Sequence, residues 1–572
     1  MQQLFRFVDA KLSTPKRFLI VTFFVYCVIL LPLSVVVYNW QFIADDLTLL
    51  HAAQKNPFPF RSDWIGSNSG LYRPLAILSF FLNFRLCGYS PFSFYLINFA
   101  LHLITTLSVA LLGRKLFRHS QLPYSNVCGF LLGLVFLISP QDIQNILWIS
   151  GRTDLLCGMF LFISVLMFID YIESSKKSFF VLFVLFQVAA YMSKETAVIT
   201  NFYALLIIFV YSRKNKNVST SKTLVPPLVL TAMYLLFRVI ILRGSTFTHL
   251  GDLSFSIMKI FKFVFYGVWT MAVPLDLVDV ISLFEVNRFV VVVIVVGIII
   301  ALAAILNQIV HNRANNLRIG LISVAIGFSS LVIYSLNYPQ MRLMYLHYPF
   351  ILVGLVYLML AGKWHRFSSI SSVFIFSGLM FFGVFTVVSR SIKINNYTRA
   401  LYRVLPDSDD YQSQKQYILL SALGRIGQSY AVPNIQYMAS LKLRGDLEEM
   451  NRSFSIVCYY ETDSFDPLDQ TGTFQYISPN TIEVTASQKG SILVPSTSKK
   501  FNFDDSLYCS EMTKNIQIIP GEMNSLRPGG ANSCEIVFND KIIGDNVEIL
   551  AYDNSKFTRK PLRSFISDLQ GK

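Results

Sequence analysis

Charge in this chain stands out where it interrupts long apolar runs. Asn39-Trp40-Gln41-Phe42-Ile43-Ala44-Asp45-Asp46 ends on two adjacent carboxylates, just past the first such run. Two carboxylates near a low-dielectric boundary raise each other's proton affinity. That suits one as a general base and the other as its orienting partner or a metal ligand. The same pair also reads as a helix N-cap ahead of Leu47-Thr48-Leu49-Leu50, and the residues alone leave both readings open. Tyr72-Arg73-Pro74-Leu75 places an Arg where a helix would start, suited to a lipid phosphate or to a snorkelling anchor. The stretch from Ser139 to Asp154 carries Asp142, Arg152 and Asp154 around an interfacial Trp148. Ser193-Lys194-Glu195 sets opposite charges into an apolar stretch, which is costly at a membrane edge without partners. Met341-Arg342-Leu343-Met344-Tyr345-Leu346-His347 brings Arg, Tyr and His together.

The elements that must position these residues are membrane helices. The chain has 572 residues, 53% of them hydrophobic, and its mean hydropathy is +0.50. That is too apolar for an ordinary soluble protein, and the runs lack the alternation of barrel strands. Spans are expected near Phe18–Tyr38, Phe92–Leu112, Ser125–Ile138, Leu155–Ile172, Phe179–Met192, Ala197–Tyr211, Thr223–Leu242, Phe289–Val310, Ile319–Leu336, Tyr345–Leu360 and Ile370–Ser389. Phe255–Pro274 reads as an interfacial or re-entrant helix. The fold class is therefore an all-α polytopic membrane protein of about eleven helices over residues 1–390. Residues 391–572 form a small α+β or β-rich extracytoplasmic domain. In that tail, Tyr411–Leu443 reads as the more helical part, Tyr476–Val494 and Cys534–Ala551 as β-rich, and Pro528-Gly529-Gly530 as a turn.

Net charge is +15, but 30 of the 49 basic and only 13 of the 34 acidic residues precede residue 391. The basic residues flank apolar runs, which is the signature of membrane orientation and argues against a nucleic-acid partner. Each inner connection is basic when the N-terminus is cytoplasmic. Asp9, Asp170 and Glu173 then fall inside, and ten acids fall outside: Asp45, Asp46, Asp63, Asp142, Asp154, Glu195, Asp252, Asp276, Asp279 and Glu285. Insertion rules do not demand this asymmetry; an outward-facing site that needs carboxylates would. Of seven cysteines, Cys458, Cys509 and Cys534 lie in the tail, where one bridge would leave one thiol free. No Gly-rich phosphate loop or Walker pattern occurs.

The ordered set of Asp-Asp, Tyr-Arg-Pro-Leu, Asn98…His102, Trp-Ile-Ser-Gly-Arg-x-Asp-Leu-Leu and Ser-Lys-Glu-Thr-Ala-Val resembles the GT-C superfamily of membrane glycosyltransferases. It is most similar to the protein O-mannosyltransferase and TPR-containing O-mannosyltransferase-like branch. The resemblance covers about residues 15–210, and Arg342-x-x-Tyr345-Leu346 resembles a later patch of that branch. It implies inverting transfer of a sugar from a polyprenyl-phosphate donor to a protein, lipid or polysaccharide hydroxyl on the extracytoplasmic face. Asp45 would be the base and Asp46 its partner. Arg73, Arg152, Lys194, Arg342 and Tyr345 would serve the donor phosphate, and Asp142, Asp154, Glu195 and His102 the acceptor or accessory roles. The family's His-Pro-x-His-x-Glu stands here as Ser139-Pro140-Gln141-Asp142-Ile143-Gln144, so a divalent metal, with Asp46 and Asp142 as candidate ligands, is left open. The tail shows no TPR-like period. The expected setting is a bacterial inner membrane, with the endoplasmic reticulum as the alternative. A lipid-linked saccharide flippase and an envelope polysaccharide polymerase or ligase are the rival functions. Against a transporter, the charges sit at one edge and no internal duplication is visible.

Overall fold

The computed structural model describes residues 2–43, 45–55, 72–211, 220–242, 265–266, 269–270, 315–331, 341–361, 366–411, 415–426, 429–430, 438–439, 442–443, 450, 454–462, 472–486, 492–495, 516–520, 533–538, 547–553 and 556–571. It divides into two compact units. One comprises Met1–Asn39 and Ala52–Val388, the other Trp40–His51 and Ser389–Lys572.

The first unit is helical, and prolines mark its helix starts. Pro15, Pro74, Pro91 and Pro140 open α2 (Pro15–Val36), α4 (Pro74–Cys87), α5 (Pro91–His119) and α7 (Pro140–Ile146). Proline's fixed φ suits the first helical position, where its missing N–H costs nothing. Thr14 caps α2 by accepting the Arg17 N–H at 3.3 Å. Five helical stretches are long and apolar enough to cross a membrane: Pro15–Asn39, Pro91–His119, Ile149–Ser174, Thr223–Ile240 and Ser377–Val404. The bent pair α6 (Ser125–Leu137) and α7, which meet at 58°, makes a sixth if counted as one span. The expected count of about eleven is thus not reproduced among the described residues. Lys177–Ser193, Glu195–Tyr211, α12 (Asn315–Ser330) and α13 (Tyr348–Ala361) are apolar helices shorter than a full crossing. Phe289–Val310 and most of Phe255–Pro274 lie outside the described residues.

Burial within this unit is graded. Along α2, Phe24, Val28, Leu31 and Val35 are exposed, as lipid-facing side chains would be. Helices α5 and α8 (Arg152–Ser174) are the most enclosed of the long apolar stretches, and both contribute to the large hydrophobic core. The three acids expected inside have structural partners. Asp9, on α1 (Gln2–Lys11), accepts the Asn126 and Val127 N–H groups at 2.9 and 3.1 Å, capping α6. Lys115 pairs with Asp170 and Glu173 at 2.5 and 3.5 Å.

Helix α14 (Arg366–Val404) runs 39 residues, well past the expected end of its span at Ser389. No Gly or Pro follows Gly383 within it, so nothing local stops it at the membrane edge. Beyond it, the second unit holds two sheets. The strands are β1 (Gln416–Ile426), β2 (Ser429–Tyr430), β3 (Phe454–Thr462), β4 (Thr473–Ser478), β5 (Thr481–Thr485), β6 (Ile492–Pro495), β7 (Ile516–Pro520), β8 (Ser533–Phe538), β9 (Val547–Asp553) and β10 (Lys556–Pro561). One sheet runs β10-β9-β1-β3-β6 with β2 on β1, and the other β4-β5-β8-β7. The closing helix is α15 (Leu562–Gln570).

The β-rich expectation for Tyr476–Val494 and Cys534–Ala551 agrees with β4–β6 and β8–β9. The helical expectation for Tyr411–Leu443 is corrected, because Gln416–Ile426 is the central strand. It pairs in parallel with both β3 and β9, and Tyr417-Ile418-Leu419-Leu420 is wholly buried. A strand covered on both faces reads as a continuous apolar run, without the alternation that would reveal it. Its register breaks between Leu423 and Arg425, and the Leu423 N–H goes instead to the Tyr397 hydroxyl at 3.1 Å. The Pro528-Gly529-Gly530 turn and Cys509 lie outside the described residues. Cys458 on β3 and Cys534 on β8 are buried and share a thiol hydrogen bond; that bond, with burial, pushes the Cys458 thiol up. Mild oxidation of the purified protein is therefore expected to give one dominant cross-linked peptide joining Cys458 to Cys534. A peptide map dominated by Cys509 linkages would contradict this arrangement.

Candidate active site

The Ser-Lys-Glu stretch lies between α9 (Lys177–Ser193) and a short 3-10 turn, Glu195–Ile199, that leads into α10 (Thr200–Tyr211). Its two charges go to different helices. The Lys194 ammonium donates to both oxygens of Asp154, in the first turn of α8, at 2.6 and 2.7 Å, and both side chains are buried. Glu195 accepts a two-pronged bond from Arg73, Nε at 3.0 Å and Nη2 at 2.5 Å, just ahead of α4. Arg238 of α11 (Thr220–Leu242) approaches the same carboxylate at 3.8 Å and donates to the Tyr234 hydroxyl at 3.0 Å. Burial pulls the Lys194 pKa below its ordinary value. The Asp154 charge opposes that shift, and the nearby Arg73 and Arg342 charges deepen it.

Arg342, in the turn Met341–Met344, thus stands within electrostatic reach of Lys194. Its guanidinium lies 4.0 Å from the centre of the Trp148 ring, and its carbonyl accepts the Asn145 amide at 3.0 Å. Arg73, Lys194 and Arg238 meet the carboxylates Asp154 and Glu195, and Arg342 stands within electrostatic reach of Lys194. Such a gathering of cations suits an anionic group.

Not every expected residue joins this set. Arg152 is fully buried and enclosed by neutral oxygens. Its Nε donates to Asn98 Oδ1 at 3.0 Å, and its Nη2 to Asn83 Oδ1 at 3.0 Å and the Phe94 carbonyl at 2.8 Å. The rings of Phe80 and Phe94 flank it at 4.6 and 5.1 Å. These bonds tie α8 to α4 and α5. Asn98 continues the chain, donating to the Trp148 and Ile149 carbonyls at 3.1 and 3.3 Å. Tyr345 is also fully buried, its hydroxyl 3.1 Å from His102 Nδ1. The other ring nitrogen, Nε2, lies 3.2 Å from the Leu137 carbonyl. A carbonyl can only accept, so Nε2 carries the proton and Nδ1 accepts from Tyr345. Gly158 makes room for this pair, because a Cβ there would sit 2.6 Å from the Tyr345 ring. Asp142, on α7, is buried and takes a hydrogen bond from the Ser139 hydroxyl.

The acidic pair belongs to the other unit, and its two members differ. Asp46 is the first residue of α3 (Asp46–Lys55) and fully buried. Its Oδ2 accepts the Ile43 N–H at 3.0 Å, and its own N–H donates to the Ile43 carbonyl at 3.0 Å. Asp45 is exposed, and its carbonyl accepts the Leu49 N–H at 3.0 Å, the bond expected of an N-cap residue. The cap position is therefore Asp45, while the side chain that braces the turn is Asp46. Asn395 on α14 holds the approach to this turn by accepting the Gln41 N–H at 2.7 Å. The metal-ligand candidates Asp46 and Asp142 are each engaged locally. No group of three His, Cys, Asp or Glu stands together among the described residues.

Sequence reasoning missed Arg238 and Asn395. Arg238 carried a signal, a lone cation within the apolar run Tyr234–Leu242, whereas Asn395 lay in a polar stretch with nothing to mark it. The enclosure of Arg152 yields a direct expectation. Arg152→Leu should leave Asn98, Asn83 and the Phe94 carbonyl without their donor, costing on the order of 3 kcal/mol or more. Thermal unfolding in detergent reads this, and an unchanged midpoint would show that the enclosure is not structural.

No family model matches the chain. The protein O-mannosyl-transferase TMTC1 of Homo sapiens is 33% identical over 161 residues, covering 26% of this chain and 18% of that protein. Tmtc1 of Drosophila melanogaster is 30% identical over 129 residues, 23% of this chain and 14% of that protein. TMTC2 of Mus musculus is 34% identical over 105 residues, 18% of this chain and 11% of that protein. The chain thus spans less than a fifth of the length of these curated relatives. Among solved structures, ArnT from Cupriavidus metallidurans, bound to undecaprenyl phosphate, aligns with a TM-score of 0.40 at 10% identity, covering 78% of this chain and 86% of that one. Over about a quarter of its length, the chain is similar to the protein O-mannosyl-transferases.

Proposed function

We propose that the protein is an inverting glycosyltransferase that moves a sugar from a polyprenyl-phosphate donor to an acceptor hydroxyl at the extracytoplasmic face of a membrane. The observation that carries this reading is the convergence of Arg73, Lys194, Arg238 and Arg342, four cations drawn from separate elements at the ends of apolar helices. A leaving phosphate gathers negative charge as the glycosidic bond breaks, and fixed cations lower that barrier without reorganising. The polyprenyl chain would lie among the apolar helices. The order of motifs and the names of the relatives support the transfer chemistry. The relatives, protein O-mannosyl-transferases by name, point to a protein hydroxyl as acceptor.

In this reading Asp45 is the general base. It takes the acceptor's proton as the oxygen attacks the anomeric carbon from the face opposite the phosphate, and the polyprenyl phosphate departs with the bonding pair. Its exposure suits a group that must meet an incoming acceptor. The buried Asp46 fixes the turn that presents it.

Asp45→Asn should then lower transfer by about two to four orders of magnitude, with insertion and unfolding midpoint unchanged. Asp46→Asn should lower both activity and stability, because its carboxylate also braces the Ile43 turn. The assay is release of polyprenyl phosphate from a radiolabelled polyprenyl-phosphate mannose by purified protein and a peptide acceptor. Wild-type rates in Asp45→Asn would sink the base assignment. Arg342→Gln should raise the donor KM roughly tenfold or more, in line with the loss of one charge-assisted contact.

A further inference from the structure

One feature of α7 is not used by the reaction outlined above. Gln141, Asp142 and Asn145 are buried completely, yet each leaves one oxygen without a donor among the described residues: Gln141 Oε1, Asp142 Oδ1 and Asn145 Oδ1. The remaining polar atoms of the same side chains are engaged. Gln141 Nε2 donates to the Thr270 carbonyl at 2.6 Å, Asn145 Nδ2 to the Arg342 carbonyl at 3.0 Å, and Asp142 Oδ2 accepts from Ser139. The side chains are therefore held in place with acceptors to spare. Trp148 Nε1, one turn further on, is a buried donor with no acceptor among the described residues. Leaving a buried polar atom unsatisfied is costly, so four in two turns call for a partner.

The pattern restricts what that partner is. Three acceptors and one donor repel an anion and gain nothing from an apolar group. A polyol meets both kinds, because each hydroxyl gives one hydrogen and accepts others. The position restricts it further. Arg342 joins this face to the cation cluster, with its carbonyl on Asn145, its guanidinium over Trp148, and its charge felt at Lys194. A sugar esterified to a phosphate held by those cations would have its hydroxyls beside α7.

We propose that α7 is the sugar-recognition wall of the donor site, with Gln141, Asp142 and Asn145 accepting hydrogen bonds from hydroxyls of the transferred sugar. This rests on the donor reading above and adds to it the residues that would discriminate among sugars. Discrimination through buried hydrogen-bonding groups is steep, because the wrong hydroxyl pattern leaves them unpaired.

The test compares binding of polyprenyl phosphate itself with binding of its mannosyl, glucosyl and N-acetylglucosaminyl forms, using the full chain in nanodiscs. Wild type should bind at least one glycosylated form tenfold or more tighter than polyprenyl phosphate. Asp142→Asn and Gln141→Met, both close in shape to the originals, should erase that increment and leave affinity for polyprenyl phosphate within twofold. Unfolding midpoints confirm that the variants are folded. An increment that survives in both folded variants overturns the proposal, as does a wild type that binds polyprenyl phosphate but gains nothing from any sugar. A chelator-sensitive unfolding midpoint in wild type that Asp142→Asn abolishes would assign the face to a cation and likewise overturn it. Failure of wild type to bind polyprenyl phosphate or any glycosylated form would instead remove the donor reading.

Discussion

Lys194 and Glu195 are neighbours in sequence with opposite charges, and each finds its partner on a different helix. Taking such charges out of water costs several kcal/mol apiece unless geometry repays it. The repayment fixes positions: Asp154 must come to Lys194 at the start of α8, and Arg73 to Glu195 ahead of α4. Because the two residues are consecutive, α4, α8, α9 and α10 cannot shift independently at this end of the unit. Arg238 then brings a further cation to within 3.8 Å of Glu195, and Arg342 stands within electrostatic reach of Lys194.

The motif Trp-Ile-Ser-Gly-Arg-x-Asp does two jobs through helical spacing. Arg152 and Asp154 are two residues apart at the start of α8, so their side chains leave on nearly opposite faces. Arg152 turns to Asn98, Asn83 and the Phe94 carbonyl, deep among neutral oxygens. Asp154 turns to Lys194 and the charged junction. Gly151 ahead of them allows the turn to pass hard against the Asn145 carbonyl, where a Cβ would collide. The spacing therefore couples the bundle's internal scaffold to the site, and a scaffold residue can look catalytic when only the motif is read.

This explains what the sequence did and did not make legible. Membrane class, the early helices and the charged patches were legible, because apolar runs and the charges that interrupt them are local signals. The partition among those charges was not, because Arg73, Arg152, Lys194 and Arg342 are the same kind of group until their surroundings are known. Burial among amide oxygens separates Arg152 from the rest, and that depends on Asn83 and Asn98, dozens of residues away. The tail failed differently. Gln416–Ile426 looked helical because a strand buried on both sides has no period of two. The extension of α14 to Val404 was hidden because hydropathy falls at the membrane edge while helix propensity does not.

The acidic pair shows how one step of sequence can separate two identical groups. Asp45 and Asp46 were open to two readings, catalytic pair or N-cap, and the turn contains parts of both. The backbone of Asp45 starts the helix by accepting the Leu49 N–H. The side chain of Asp46 does the bracing instead, from a buried position on the Ile43 N–H. A buried carboxylate locked to a backbone donor is poorly suited to take a proton from an acceptor that arrives from water. An exposed one on a fixed turn is better suited. The division of labour follows from geometry on one turn, and it makes Asp46 the reason that Asp45 is held where a base could act.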